Sequence, residues 1–382
     1  MRIGIDASCL QGNRYGVGRC LFSILKEWSI MAPQNKYILY TDSALPEEDV
    51  FKNDCFVARV LEKPWLLLSK GPLWNSYCIP RELFLNKVDL FFSPSYTLPF
   101  VLNTISAVNI YDISFEKFPE ASTPQRRLYV KRAATKADAV ITGSEYSRRE
   151  ILNCYKLPED KVHRIYLAAD EKFRPMNDET KIREIKNRFK IKNRFIFYCG
   201  AIYKRRNLPN LIKAFRNLPV DILKEYQFLM LGEVSRSSLD MDLCGLIETA
   251  NLQIGEGRLL HIDYVDEEDL VWLYNAAELF IYPSLYEGFG LPVLEAMACG
   301  TPVVTSDRAA IPEVVGDAAV KVDPDNVELM REAVLKVIND GELRERLANE
   351  GPKRARMFSW SKCASETLEL FYKLTSEKKR FQ

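Results

Sequence analysis

The chain has 382 residues, 47% of them hydrophobic, which is apolar material enough for two cores without disulfide or metal staples. Its 53 Lys and Arg against 52 Asp and Glu leave a formal net charge of +1. That balance excludes a bulk polyanion or nucleic-acid binder, though not a local basic pocket.

Short β-branched or aromatic runs alternate along the chain with longer amphipathic ones. RIGIDAS (2–8), KYILYT (36–41), FVARVL (56–61), VDLFFS (88–93), ISAVNIYD (105–112) and ADAVITGS (137–144) are predicted strands, with helices at 17–33, 123–136 and 145–156. Their apolarity is continuous rather than alternating, as in strands buried on both faces of a parallel sheet. Gly16-Val17-Gly18 precedes the first helix, but the sixth position of a dinucleotide fingerprint is Leu21, so that motif is not matched. KPWLLLSKGPLWNSYCIPRELF (63–84) mixes tryptophans, leucines and cations. It reads as core packing with a helix at the edge of a cleft, or as a surface that rests on a membrane.

EKFRPMNDETKIREIKNRFKIKN (171–193) is a polar linker followed by a surface helix. The pattern then restarts with strands RFIFYCGAI (194–202), YQFLMLGE (226–233), GRLLHIDYV (257–265), LFIYPSL (279–285), TPVVTSD (301–307) and AAVKVDP (318–324). Asp266 is a predicted N-cap, with acids in the turn after it. Trp360-Ser361 opens a closing helix. The expected fold class is α/β: two Rossmann-like doubly wound parallel-sheet domains, 1–173 and 174–360, facing a cleft. In such sheets ligands bind outside the carboxyl ends of the strands.

The nine cysteines are scattered and form no Cys-x-x-Cys pair, which points to free thiols in a reducing, cytoplasmic location. MRIGIDASCL has no signal-peptide pattern, and no apolar run approaches the roughly 20 residues that span a bilayer.

In YEGFGLPVLEAMACGTPVV (286–304), Pro292 suits the first position of a helix ending at Cys299-Gly300. The backbone donors of Gly290, Leu291, Val293 and Leu294 at its start favour an anionic oxygen. Gly288 and Gly290 admit a ligand close to the backbone. Glu287 before the helix and Glu295 one turn inside it can both accept hydrogen bonds from vicinal hydroxyls. Phosphate on the donors and hydroxyls on the acids describe a nucleoside diphosphate sugar. The alternative is one Glu compensating the helix dipole and another on the solvent face.

The run 281–326 resembles the paired-Glu motif of retaining GT-B glycosyltransferases of the family-four, group 1 type, and mannosyltransferases among them. The resemblance is close over 194–326, looser over 1–170, and returns at Phe358-Ser359-Trp360. It implies that Glu287 contacts the donor sugar, that the backbone of Phe289, Gly290 and Leu291 contacts sugar and phosphate, and that Glu295 holds the ribose. YCGAIYKRRNLPNLIKAF (198–215) resembles the loop that grips the diphosphate, with Arg206 where lysine is usual. Arg205 and Arg206 are thus expected to bind the diphosphate and stabilise it as it departs, which makes Glu287 and Arg206 the catalytic pair. By the same resemblance Gly16 and Gly18 flank the phosphates, Tyr264 and Val265 border the base, and the helix 361–382 packs back on the first domain.

Two features here depart from the family pattern, and a third motif is a decoy. Tyr111-Asp112 stands where the family has His-Asp, leaving Asp112 either to orient the acceptor or to cap a turn. Phe92 stands where many relatives carry His, and the only histidines, His163 and His261, lie outside the motifs. A histidine base is therefore not expected; the departing diphosphate oxygen takes the acceptor's proton on the same face. Asp240-Met241-Asp242 matches a metal-binding Asp-x-Asp, but a helix start explains it, so neither metal nor cofactor is expected. The implied activity is retaining transfer of a hexose from a GDP- or UDP-sugar to a saccharide or lipid-linked acceptor, in polysaccharide or glycoconjugate synthesis. Its partners would include a peripheral membrane contact on the inner face. Two rivals remain open: an epimerase, which needs no added acceptor, and a non-catalytic binder, which releases no nucleoside diphosphate.

Overall fold

The computed structural model describes residues 1–11, 16–61, 72–118, 122–234 and 242–380. Two compact units divide it: Met1–Glu116, Thr123–Leu167 and Ser359–Gln382 form one, and Ala168–Phe358 with Lys117–Ser122 the other. The second unit begins six residues before the 173/174 boundary that the polar linker suggests. Phe173 packs edge-on against Tyr274 at 5.8 Å, and Met176 N–H donates to Asn275 Oδ1 at 2.7 Å, so the start of the linker already belongs to that unit.

In the first unit, β1 (Arg2–Asp6), β2 (Lys36–Thr41), β3 (Phe56–Val60), β4 (Leu90–Ser93), β5 (Ile105–Asn109), β6 (Ala139–Thr142) and β7 (Val162–Arg164) form a parallel sheet in the order β3-β2-β1-β4-β5-β6-β7. Ile3 pairs with both Tyr37 and Leu90, so β1 is central and its apolar residues are covered on both faces. β7 is not foreseen from the sequence, since Val-His-Arg is three residues long with only one of them buried.

Trp28, on the helix Val17–Met31, is fully buried and stacks on Tyr37 at 5.2 Å. Phe371 of the closing helix Trp360–Arg380 meets its edge at 5.8 Å. The indole N–H donates to Ala364 O at 2.9 Å, which satisfies the one polar group of an otherwise apolar anchor. The end of the chain thus completes the core that its beginning starts.

The second unit carries β8 (Arg194–Cys199), β9 (Tyr226–Leu231), β10 (Leu259–Ile262), β11 (Leu279–Tyr282), β12 (Val303–Ser306) and β13 (Val320–Val322), ordered β10-β9-β8-β11-β12-β13 and parallel throughout. The switch in strand order between β8 and β11 opens a crevice at their carboxyl ends. Just past those ends β8 and β9 converge. Gly200 N–H donates to Leu231 O and Ile202 N–H to Glu233 O, both at 2.9 Å. A Cβ at Gly232 would lie 2.1 Å from the Gly200 carbonyl oxygen, so only glycine fits. Asp266 does stand at the N-cap of the helix Glu267–Ala276, but its carboxylate makes no capping hydrogen bond, leaving the acids of the first turn to meet the helix dipole. Among the described residues, no helix is long and apolar enough to cross a membrane.

Candidate functional site

The second unit gathers most of the residues singled out from the sequence. Because its strands are parallel, the loops after β8, β10 and β11 share one end of the sheet. These carry Arg205-Arg206, Tyr264-Val265 and Glu287–Gly290 respectively.

After β8 the chain makes a 3-10 turn, Lys204–Arg206, and Asn207 takes a left-handed conformation with φ 64°. Asparagine tolerates that geometry, and its buried amide donates to Pro324 O at 2.5 Å. This fixes where the turn ends and the helix Leu208–Arg216 begins.

After β11, Ser284 to Gly290 cross under the turn. Leu285 N–H donates to Arg205 O at 2.8 Å, and Arg205 Nη1 donates back to Tyr286 O at 2.7 Å. Glu287, only 6% exposed, then receives three donors on one oxygen: Ser284 Oγ at 2.6 Å, Arg205 Nη1 at 3.1 Å, and Arg206 Nη1. Burial pushes the Glu287 carboxyl upward, but the charges of Arg206 and Arg205 and the Ser284 hydroxyl outweigh it, and its pKa falls below the ordinary carboxylate value. Two guanidiniums thus share this carboxylate in a largely dry place.

Its stability contribution is therefore complete above the unfolded carboxylate pKa of about 4.3 and lost as pH falls through the lower folded value. Urea titrations of the protein and of Glu287→Gln should differ by a constant amount between about pH 5 and 8 and converge below about pH 4.

Gly290, φ 104°, caps the helix Leu291–Ala298, with Pro292 in its first turn. A Cβ at Gly290 would meet Ile311 Cδ1 at 2.5 Å. The side chain of Phe289 is buried and packs edge-on against Phe358 at 5.6 Å. Glu295 is 3% exposed and accepts from Tyr274 Oη at 3.1 Å. The solvent-face alternative for the second acid is thus overturned: that side of the helix is packed. Tyr264 is half exposed on the loop after β10 and Val265 beside it is partly covered.

The remaining predicted residues belong to the first unit, at the carboxyl ends of its strands. Gly16, φ 44°, is the N-cap of the helix Val17–Met31, and Gly18 is buried in its first turn. Asp112 Oδ1 accepts from Ser114 N–H at 2.8 Å, the turn-capping alternative. Tyr111 Oη accepts from Asn109 Nδ2 at 3.0 Å, and desolvation holds its phenol neutral by pushing its pKa well up. Phe92 is wholly buried against Trp28.

Neither histidine is placed as a base. His261 Nε2 meets Gly232 O at 2.9 Å, while burial, then Lys373 and Arg148, push the His163 pKa down. Asp242 caps the helix Leu243–Ile254 through Gly245 N–H at 2.9 Å; Asp240 and Met241 lie outside the described residues, as do residues 63–71 of the tryptophan- and leucine-rich stretch. Sequence reasoning missed Ser284, Tyr274 and Tyr282 as partners of the acids and arginines. A serine three residues before an acid, or a tyrosine inside a strand, is too common to mark itself.

Comparison with known proteins gives the family. The family described as Glycosyl transferases group 1 matches residues 178–354, which include both acids and both arginines. O-antigen chain mannosyltransferase B of Escherichia coli is 32% identical over 286 residues, 74% of this chain and 74% of that protein. Serotype-specific mannosyltransferase WbdA, also of E. coli, is 29% identical over 252 residues, 65% of this chain but only 31% of that longer protein. Among solved structures, sucrose-phosphate synthase from Thermosynechococcus elongatus superposes with a TM-score of 0.79 at 18% identity, covering 98% of this chain and 99% of that one. Anabaena HepE in complex with UDP-glucose gives 0.77 at 16% identity, covering 97% and 99%. At such identities the likeness is one of fold, the GT-B arrangement of two Rossmann-like units.

Proposed function

The chain belongs to the group 1 glycosyl transferases, and on that footing we propose that it moves a hexose, mannose first among them, from a GDP- or UDP-linked donor to a saccharide or lipid-linked acceptor with retention of configuration. The observation that carries this is a buried carboxylate, Glu287, gripped by both Arg205 and Arg206 at the mouth of a helix. The arginines take the donor's diphosphate, joined by the amides of Phe289, Gly290 and Leu291. Glu287 then meets the sugar, and Glu295, one turn in, holds the ribose hydroxyls.

Positive charge is needed where the leaving diphosphate gathers negative charge. Two guanidiniums supply it in a largely dry site, so no metal is assigned to the reaction. With both histidines engaged elsewhere, the acceptor's proton passes to the departing phosphate oxygen on the face where the new bond forms, which is what retention requires. Tyr111 and Asp112 fall on the acceptor's side, and Gly16 and Gly18 beside the phosphates. Relatives named for O-antigen and serotype-specific mannosyl transfer support a place in polysaccharide synthesis. Nine cysteines outside any disulfide support a cytoplasmic setting, and a lipid-linked acceptor would bring the protein to the inner membrane surface.

The test is a melting-temperature screen against GDP-, UDP- and ADP-sugars, because a ligand that prefers the folded chain raises its Tm. One nucleotide class should raise the Tm by several degrees, and Glu295→Ala should remove most of that rise. No rise with any of them refutes the donor assignment. Release of nucleoside diphosphate that depends on added acceptor separates transfer from epimerisation and from simple binding.

A further inference from the structure

We infer that Tyr282 is a positioning residue for Arg206, a flat platform on which the guanidinium turns when it exchanges Glu287 for the donor's diphosphate. The inference rests on the donor site proposed above.

Arg206 faces two anions in turn, the Glu287 carboxylate in the present structure and the diphosphate in the loaded enzyme. Hydrogen bonds alone cannot hold it through that exchange, since each set is lost as the other forms. The structure offers one contact that is independent of both. The Arg206 guanidinium carbon lies 4.9 Å from the centroid of the Tyr282 ring. Attraction between a cation and a ring face fixes the distance from the ring but carries little preference for rotation within the plane. A guanidinium resting there keeps its place while its N–H groups change partners. Arg206 Nε, buried and with no acceptor, shows that the group still has a donor to give.

The platform itself is built to stay still. Tyr282 ends β11, is wholly buried, and stacks on Tyr198 at 5.6 Å with the planes 18° apart and on Phe280 at 5.9 Å with 19°. Thr305 Oγ1 donates to its carbonyl at 2.9 Å from the neighbouring strand. The Tyr282 hydroxyl makes no hydrogen bond, so the ring and not the oxygen is the working part.

Calorimetric titration with GDP and UDP tests this on the full chain. Tyr282→Phe keeps the ring and should bind within about twofold of the parent, whereas Tyr282→Met keeps the bulk without the π face and should bind roughly 5–10-fold more weakly. Arg206→Gln should weaken binding at least as much. Adding Tyr282→Met to Arg206→Gln should then cost under about twofold more, because the platform has nothing left to carry. Full additivity of the two losses, an unaffected Tyr282→Met, or a Tyr282→Phe as damaging as Tyr282→Met each overturns the inference. Tyr282→Leu serves as a second ring-free variant should the methionine protein not fold. If the parent protein binds neither nucleotide, the donor-site reading fails first; if it binds and the cycle is additive, only the role of Tyr282 falls.

Discussion

Replacing Glu287 by glutamine is expected to lower the turnover of hexose transfer by about 10²-fold or more while leaving nucleoside diphosphate binding intact or tighter. The two halves of this result have one cause. In the resting site Glu287 engages Arg205 and Arg206, so the incoming diphosphate must compete with a carboxylate for its own cations. Glutamine is isosteric but uncharged. It frees the guanidiniums for phosphate and removes the charge that meets the sugar as the donor bond opens.

The same substitution leaves two cations without their buried counter-ion, so stability at neutral pH should fall by about 1–3 kcal/mol, and saturating nucleotide should restore it. Glu295→Ala should behave in the opposite way, losing nucleotide affinity before turnover, because its carboxylate lies farther along the helix with Tyr274. Steady-state kinetics with a calorimetric affinity for each variant separates the two acids. Equal loss of turnover and binding in both variants would sink the assignment of distinct roles.

The largest effect on stability is expected at Gly232. An alanine there would place its Cβ 2.1 Å from the Gly200 oxygen and 2.7 Å from the Gly200 carbonyl carbon, at a φ of 148° that a side chain resists. Neither obstacle is a rotatable side chain. Relief requires β8 and β9 to part where their backbones cross, just ahead of the arginine turn. Gly232→Ala should therefore cost about 3 kcal/mol or more in urea unfolding and carry the donor site down with it. Gly290→Ala should cost less, because the obstructing Ile311 Cδ1 is the tip of a side chain that can swing away, leaving mainly the strain of φ 104°. Gly341→Ala is the control: it opens the helix Gly341–Ala355 with nothing within 4 Å of the new methyl, and should be neutral or gain about 0.5 kcal/mol. An unchanged urea midpoint for Gly232→Ala would disprove the close crossing.

Much of the architecture was legible because its strands are buried on both faces and spell continuous apolar runs, from RIGID to VVTS. β7 was not, since three residues with two half-exposed polar side chains leave no such run. At the site, the helix mouth could be read from Gly290, Pro292 and the two flanking acids, all local in sequence. What could not be read was that Arg205 and Arg206 would bond directly to Glu287, more than eighty positions away, a contact made because β8 and β11 are neighbours in the sheet. Nor could the sequence reveal that Tyr274 would turn Glu295 inward, or that Asp266 would mark a helix start without bonding to it.

The dependence of Trp28 on Ala364 and Phe371 has a bearing on how the protein is made. A nascent chain leaves the ribosome from its amino end, at about 5–20 residues per second, and folds as units become complete. Here the second unit has its entire contiguous sequence available while the first still waits for the final helix. The middle of the chain is thus free to fold ahead of its start, and the first unit spends the interval with an indole and its neighbouring aromatics uncovered, open to chaperones until the helix that carries Ala364 and Phe371 has been made.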